Sequence, residues 1–376
     1  MDVIKLTKKL IACPSVTPKD EGAQVLLAEF LASLGFECYL LPFGEGDEHV
    51  PNLFARIGTD GPHLCYAGHT DVVPSGPEEQ WTYGPFNPHI EDGVLYGRGA
   101  SDMKGSVAAF AVAAAEYIKN NALKGSISLL ITGDEEAAAI NGTVRVLEWM
   151  KENNHIPDVA LVGEPTNPDH LGQEIKIGRR GSLNALISVK GKQGHVAYPH
   201  LASNPLPALT HMMHVLSAHR FDEGSGFFPA TNLEITTIDA GNPATNIIPE
   251  SGRANINIRF NNKWTRKTLE NKIHELLQST GYSYDIEFEG NAESFITEPD
   301  AWTDIVRSAV TDITGKTPEY TTGGGTSDAR FIVNYCPVVE CGTINDSIHQ
   351  IDENTRVSDL EDITKIYGRI LERYFS

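Results

Sequence analysis

The chain has 376 residues, 40% of them hydrophobic, and a formal net charge of -20. That length allows two or three domains with a sizeable core, and the composition is that of an ordinary globular protein. The acidic excess argues against nucleic acid and anionic membranes as partners, and an anionic substrate would need local arginines or metal ions to overcome the repulsion.

Cys13, Cys38, Cys65, Cys336 and Cys341 are scattered, odd in number and form no C-x-x-C pair. This predicts a reducing cytoplasm and no thiolate metal site. Residues 1–10 lack the apolar run and small-residue cleavage site of a signal peptide. No apolar stretch is long enough to cross a bilayer, because the alanine-rich run after Lys104 is broken by Glu116 and Lys119.

Amphipathic patterns predict helices over residues 3–11 and 24–34, with Gly35 as the stop of the second. Strands follow over 52–57 and 63–67, separated by a Gly-Thr-Asp-Gly turn. The second strand runs into Gly68-His69-Thr70-Asp71. In extended backbone residues i and i+2 share a side, so the Asp71 carboxylate is expected to take the second N–H of the His69 imidazole. Residues 72–92 are rich in turns, with Trp81 and Phe86 as anchors over the sheet.

Residues 93–99 form a short strand leading into Gly97-Arg98-Gly99-Ala100-Ser101-Asp102, and 104–119 an alanine-rich helix suited to close packing on a sheet. Taken alone, Asp102 also suits a helix cap, near the positive end of the helix dipole. A strand over 125–132 ends in Gly133-Asp134-Glu135-Glu136, a helix covers 141–150, and a strand over 159–162 ends in Gly163-Glu164. Carboxylates clustered at strand ends need solvation or a cation. The alternation of strands and helices implies a mostly parallel sheet covered on both faces, and such a sheet binds ligands beyond the ends of its strands.

From Gly181 the pattern becomes strand 182–190, helix 206–218, strands 233–240 and 253–260, helix 265–280 and strand 282–289. This β-α-β-β-α-β order is that of a ferredoxin-like sandwich, here inserted into the first domain. The expected boundaries are 1–180 for the first part of the catalytic domain, 181–292 for the insertion and 293–376 for the second part. After the insertion come a helix over 301–314, a glycine-rich loop over 322–328, a strand over 338–341, His349, and a helix over 360–374. The loop's N–H groups suit an anion. The loop lacks the Gly-Lys-Ser/Thr of a nucleotide site.

These residues divide into two ligand sets: His69, Asp102 and Glu164 for one ion, His349, Asp102 and Glu136 for the other, with Asp102 shared. Imidazole and carboxylate without thiolate suit Zn²⁺, with Co²⁺ or Mn²⁺ as alternatives. Paired ions hold a hydroxide between them and polarise a carbonyl, and Glu135 would move the proton from the water to the leaving amine. The expected reaction is hydrolysis of an amide-like bond.

Together, G-H-T-D-V-V-P, Y-G-R-G-A-S-D-M-K-G, G-D-E-E, G-E-P-T and the late histidine resemble the di-zinc aminoacylase/carboxypeptidase family of co-catalytic metallopeptidases. A narrower likeness, to the desuccinylase branch of that family, rests on T-G-D-E-E-A-A-A-I-N-G-T, I-G-R-R-G-S-L-N, K-G-K-Q-G-H-V-A-Y-P and G-G-G-T-S-D-A-R-F. Ala137 stands where that branch often has glycine. The resemblance implies an α/β catalytic domain, two Zn²⁺ per subunit and a homodimer formed through the inserted lid domain. It makes His195 the histidine that reaches the partner subunit's active site and stabilises the oxyanion. It implies a linear amide substrate carrying three carboxylates, with Arg179, Ser182, Asn246, Arg259, Gly324, Gly325 and Thr326 as the anion-binding set. Related deacylases and dipeptidases share the metal motifs and remain the alternatives.

Overall fold

The apolar run near residue 130 becomes the strand Ser126–Thr132, buried at every position. A strand buried along its whole length is covered on both faces. The computed structural model describes residues 2–376 and falls into two units. One runs to Ile177 and resumes over Thr297–Thr321 and Ser327–Ser376; the other comprises Gly178–Ile296 and Thr322–Thr326.

The first unit is built on an eight-stranded sheet. From edge to edge its strands are Glu37–Leu40, Leu53–Ile57, Ser126–Thr132, His63–His69, Val159–Val162, Val338–Glu340, Glu174–Lys176 and Glu319–Thr321. The four central ones, from Ser126–Thr132 to Val338–Glu340, are mutually parallel. Antiparallel pairings flank them on either side, so the sheet is mixed with a parallel centre. The outer strands Glu37–Leu40, Glu174–Lys176 and Glu319–Thr321 are three or four residues long, too short for a periodic signal in sequence.

Alternation along Leu53–Ile57 separates the two faces. Leu53 and Ala55 join the main core with the helices Val3–Ile11, Ala23–Ala32, Lys104–Asn120, Ala301–Thr314 and Val357–Tyr374. Phe54 points the other way and meets Trp149 of the helix Thr143–Glu152, with ring centroids 5.5 Å apart. The helix Lys104–Asn120 is buried all round through its first three turns, which its small side chains permit. A Cβ on Gly105 would strike the carbonyl oxygen of Ala100, so only glycine lets this helix start so close to the preceding loop.

The second unit has the strands Gly181–Lys190, Asn232–Asp239, Ser251–Phe260 and Asp285–Ala292 and the helices Leu206–Ala218 and Arg266–Gln278. The strands pair antiparallel in the spatial order Asn232–Asp239, Ser251–Phe260, Gly181–Lys190, Asp285–Ala292. This is the ferredoxin-like arrangement. Leu183, Ala185, Ile187 and Val189 alternate inward and pack with Leu209, Met212, Leu269 and Ile273 of the two helices. The last strand starts at Asp285, later than its aromatic residues suggest, because Tyr282 and Tyr284 lie before the ladder.

One buried histidine makes the first unit acid-sensitive. His63 is 4% exposed, with its Nε2 2.7 Å from Ser128 Oγ. Burial, and then the Arg56 guanidinium, push its pKa down from 6.5 to about 4. Between those values the unfolded chain binds a proton that the folded chain refuses, so stability falls as pH drops through that window. Each pH unit crossed costs about 1.4 kcal/mol, and the whole window roughly 3 kcal/mol. His63→Gln should flatten this slope. Urea unfolding of both proteins at pH 7 and pH 4.5 measures it, and equal pH slopes would contradict the assignment.

Candidate metal centre

Because the four central strands run parallel, their C-terminal ends share one rim of the sheet. His69 ends its strand. Glu135 and Glu136 stand just beyond Ser126–Thr132, Glu164 just beyond Val159–Val162, and His349 in the loop after Val338–Glu340. Segments far apart in the chain thus deliver imidazole and carboxylate groups to one place.

There the two oxygens of Asp102 face different histidines. Asp102 Oδ1 lies 3.2 Å from His69 Nε2, and Oδ2 lies 3.4 Å from His349 Nε2. Glu164 Oε1 approaches His69 Nε2 to 3.7 Å, and Glu136 Oε1 approaches His349 Nε2 to 3.1 Å. Among the described residues, donor atoms within 4.8 Å of one another, able to hold a metal ion, form two groups: His69 with Asp102 and Glu136, and His69 with Glu135 and Glu164. His69 Nδ1 is 2.9 Å from the backbone carbonyl of Asp71. A carbonyl only accepts, so Nδ1 carries the hydrogen and the neutral ring turns the Nε2 lone pair toward the carboxylates. Lone pairs facing lone pairs at this distance need a proton or a cation between them. The residues therefore fit metal ions.

Two local expectations are corrected. The Asp71 carboxylate is 3.7 Å from His69 Nδ1 and does not fix the ring; the Asp71 carbonyl does. The carboxylate instead accepts the N–H groups of Glu135, at 3.4 Å, and Glu136, at 3.1 Å. The turn after His69 brings the main chain, not the side chain, back to the ring. Nor does Asp102 cap the following helix: Met103 occupies the cap position and no side chain caps it. The acidic run is also divided. Asp134 accepts the N–H groups of Ile140 and Asn141 and closes its own loop, leaving Glu135 and Glu136 for the centre.

The electrostatics follow from this crowding. Burial pulls the His69 imidazole down, but Asp102, Glu164 and Asp71 outweigh it and hold its pKa well above the ordinary value. His349, bonded to Asp102 and Glu136, is raised to about 10 against the effect of burial. Burial opposes ionisation of Asp102, yet its bonds to His349 and His69 prevail and hold it well below the usual carboxylate range. Asp71 goes up to about 6, chiefly through burial. Glu135 is pushed well above its ordinary value by burial and then by the charge of Glu164. A raised carboxyl beside groups that stay ionised is the pattern of an acid–base residue.

Two residues outside the sequence-derived set bear on the centre. Asp328, 6% exposed, adds to the upward pressure on Glu135; its only sequence signal is its place at the end of the glycine-rich loop. Glu353, fully buried, binds the loop that carries Asp102, and nothing in its local sequence marks it.

The remaining sequence-derived residues lie in the second unit. Arg179 is 7% exposed and donates to the carbonyl of Gly325 at 3.1 Å, which ties it to the loop of Gly324 and Thr326. Ser182 and Arg259 are cross-strand partners, joined through Asn257, which accepts from Arg259 Nε at 3.1 Å and donates to Ser182 Oγ at 3.4 Å. Arg180 lies close enough to Arg259 for the latter's charge to add to burial in lowering its pKa. His195 is exposed, pairs with Ile247 in a two-stranded ribbon, and accepts the N–H of Ala197 at Nδ1. The exposed Asn246 lies beside it, its carbonyl accepting the N–H of Val196.

Known proteins resemble this chain throughout. Succinyl-diaminopimelate desuccinylase of Xanthobacter autotrophicus is 51% identical over 372 residues, covering 99% of this chain and 99% of that protein. Its namesake from Rhodospirillum centenum is 52% identical over 377 residues, covering 100% of this chain and 98% of that protein. In fold, the chain is similar to an M20-family metallo-carboxypeptidase from Sulfolobus solfataricus, with a TM-score of 0.80, 19% identity and coverage of 100% and 99% of the two chains. The family model that describes peptidase family M20/M25/M40 matches residues 65–373, and the chain belongs to that family.

Proposed function

We propose that this chain is a di-zinc hydrolase that removes succinate from N-succinyl-LL-2,6-diaminopimelate to give LL-2,6-diaminopimelate, serving lysine and cell-wall precursor synthesis in the bacterial cytoplasm. The observation that carries the chemistry is Asp102, with an imidazole facing each of its oxygens. The choice of substrate is supported by relatives of that name at about half identity over the whole chain. Among the described residues no helix is long and apolar enough to cross a membrane.

In this reading His69, Asp102 and Glu164 hold one Zn²⁺ and His349, Asp102 and Glu136 the other, with Co²⁺ able to replace either. When bound, the cations supply Lewis acidity, polarising the amide carbonyl and acidifying the attacking water. Glu135 takes the water's proton and returns it to the departing amine nitrogen. Asp71 is a positioning residue: its carbonyl sets the His69 tautomer and its carboxylate holds the backbone of Glu135 and Glu136.

The first unit, expected over residues 1–180 and 293–376, is the catalytic domain, and the second, expected over 181–292 and extending over Gly178–Ile296 and Thr322–Thr326, is a dimerisation and lid domain. His195 serves the partner subunit's active site, stabilising the oxyanion as charge develops on the carbonyl. The guanidinium forks of Arg179 and Arg259, with Ser182, Asn246 and the N–H groups of Gly324, Gly325 and Thr326, receive the substrate carboxylates. These cations answer the repulsion expected from a chain of net charge -20.

The test is a comparison of zinc-loaded protein on N-succinyl-diaminopimelate, N-acetylornithine and a dipeptide. kcat/KM for the first should exceed the others by at least about a thousandfold, because a site built to bond a carboxylate rejects analogues lacking it. Activity confined to N-acetylornithine or the dipeptide would overturn the substrate assignment and leave the metal chemistry standing.

A further inference from the structure

The segment that delivers His349 also carries Glu353, which is buried. Both of its oxygens are engaged. Oε1 accepts the N–H groups of Ser101 and Asp102, each at 3.0 Å. Oε2 accepts the N–H of Gly99 at 3.1 Å and Arg98 Nη1 at 2.8 Å. The Arg98 guanidinium lies 5.2 Å from the Trp81 ring centroid and is itself buried.

The same two segments are joined again nearby. Thr343 Oγ1 donates to the Ser101 carbonyl at 2.9 Å, Ser101 Oγ donates to the Ile344 carbonyl at 2.5 Å, and the Gly97 N–H donates to the Glu353 carbonyl at 2.9 Å. Beyond them Asn354–Arg356 pairs antiparallel with Val94–Tyr96. Hydroxyls and main chain thus already brace the two loops. A buried carboxylate is tolerated only when neutralised and fully bonded, and Glu353 meets both conditions through Arg98 and the three N–H groups. What it supplies is a rigid plane of acceptors, and that plane grips the main chain on the N-terminal side of Asp102 and the N–H of Asp102 itself. With its backbone held, Asp102 has only a short side chain with which to aim its oxygens.

We infer that Glu353 is a second positioning residue of the metal centre: it sets the backbone of Asp102 so that one carboxylate reaches both His69 and His349, and it does so from the segment that carries His349. The two loops then move as one body, and the distance between the two ligand sets is set by this clamp. The inference rests on the reading of Asp102 as a ligand shared by two ions.

The test is titration of metal-free wild type, Glu353→Gln and Glu353→Asp with Zn²⁺ by calorimetry and with Co²⁺ by visible absorption, alongside kcat, KM and thermal unfolding of each metal-free protein. Glutamine keeps the size but turns an NH₂ toward N–H donors, or leaves some of them without an acceptor. It should weaken binding of at least one cation by about 10- to 100-fold. It should also change the Co²⁺ absorption bands and lower kcat with KM within about threefold. Aspartate keeps the charge but draws the carboxylate back from the loop, and should weaken binding by about tenfold; it decides the matter if the glutamine variant does not fold. Wild-type affinity and absorption in the folded variants, with only a lower melting temperature, would make Glu353 a plain structural brace and overturn the inference. A wild type that binds fewer than two cations would instead overturn the proposed function on which it stands.

Discussion

Replacing Glu135 by glutamine should leave both cations bound and lower kcat by about two to four powers of ten, the usual contribution of a positioned acid–base group. The substitution keeps the shape and removes the exchangeable proton. Glu135 is suited to that task by its place, with a carboxylate oxygen within 4.8 Å of donor atoms of His69 and Glu164 and so beside the ion those residues would hold. The same variant separates two uses of the side chain. Glu135 also forms a possible ligand group with His69 and Glu164. Were it a ligand, glutamine would reduce the metal content as well as the rate. Metal analysis of the purified variant beside its steady-state kinetics therefore decides between proton transfer and ligation. Full turnover would refute both.

Asp102→Ala should have the opposite signature. The bound cations should fall from two per chain to one or none, and turnover should drop by more than about a hundredfold, since even partners outside the ligand set cost 10–100-fold when lost. The reason is geometric: His69 Nε2 and His349 Nε2 face the same carboxylate from opposite oxygens, so its removal takes an anchor from both. The following helix should survive. Asp102 makes no cap bond to it, and the bond from the Asp102 N–H to Glu353 does not involve the side chain. Circular dichroism and metal content measured together check this. A variant that kept two tightly bound cations and normal turnover would remove Asp102 from the centre.

Much of the candidate metal centre was legible because most of its residues follow strands of the parallel centre. His69, the Glu135-Glu136 pair, Glu164 and His349 each follow an apolar run, and runs of that kind become parallel neighbours whose ends converge. The insertion was legible for a similar reason: its strands and helices alternate in an order with few packing solutions. The outer strands of the large sheet were not legible, since three or four residues leave no period to detect.

What the residue order determined, then, is which chemical groups exist and which strands deliver them. Periodicity, glycine stops and the placing of acids and histidines after apolar runs are local properties, written in neighbouring residues. What only the tertiary structure decided is orientation. The carbonyl of Asp71, not its carboxylate, holds His69; Asp134 turns away from Glu135 and Glu136; and Glu353, some 250 residues along the chain, holds the backbone of Asp102. These are choices between rotations and between partners remote in sequence. They depend on where the backbone of another segment lies once the sheet has closed, and no local pattern encodes that.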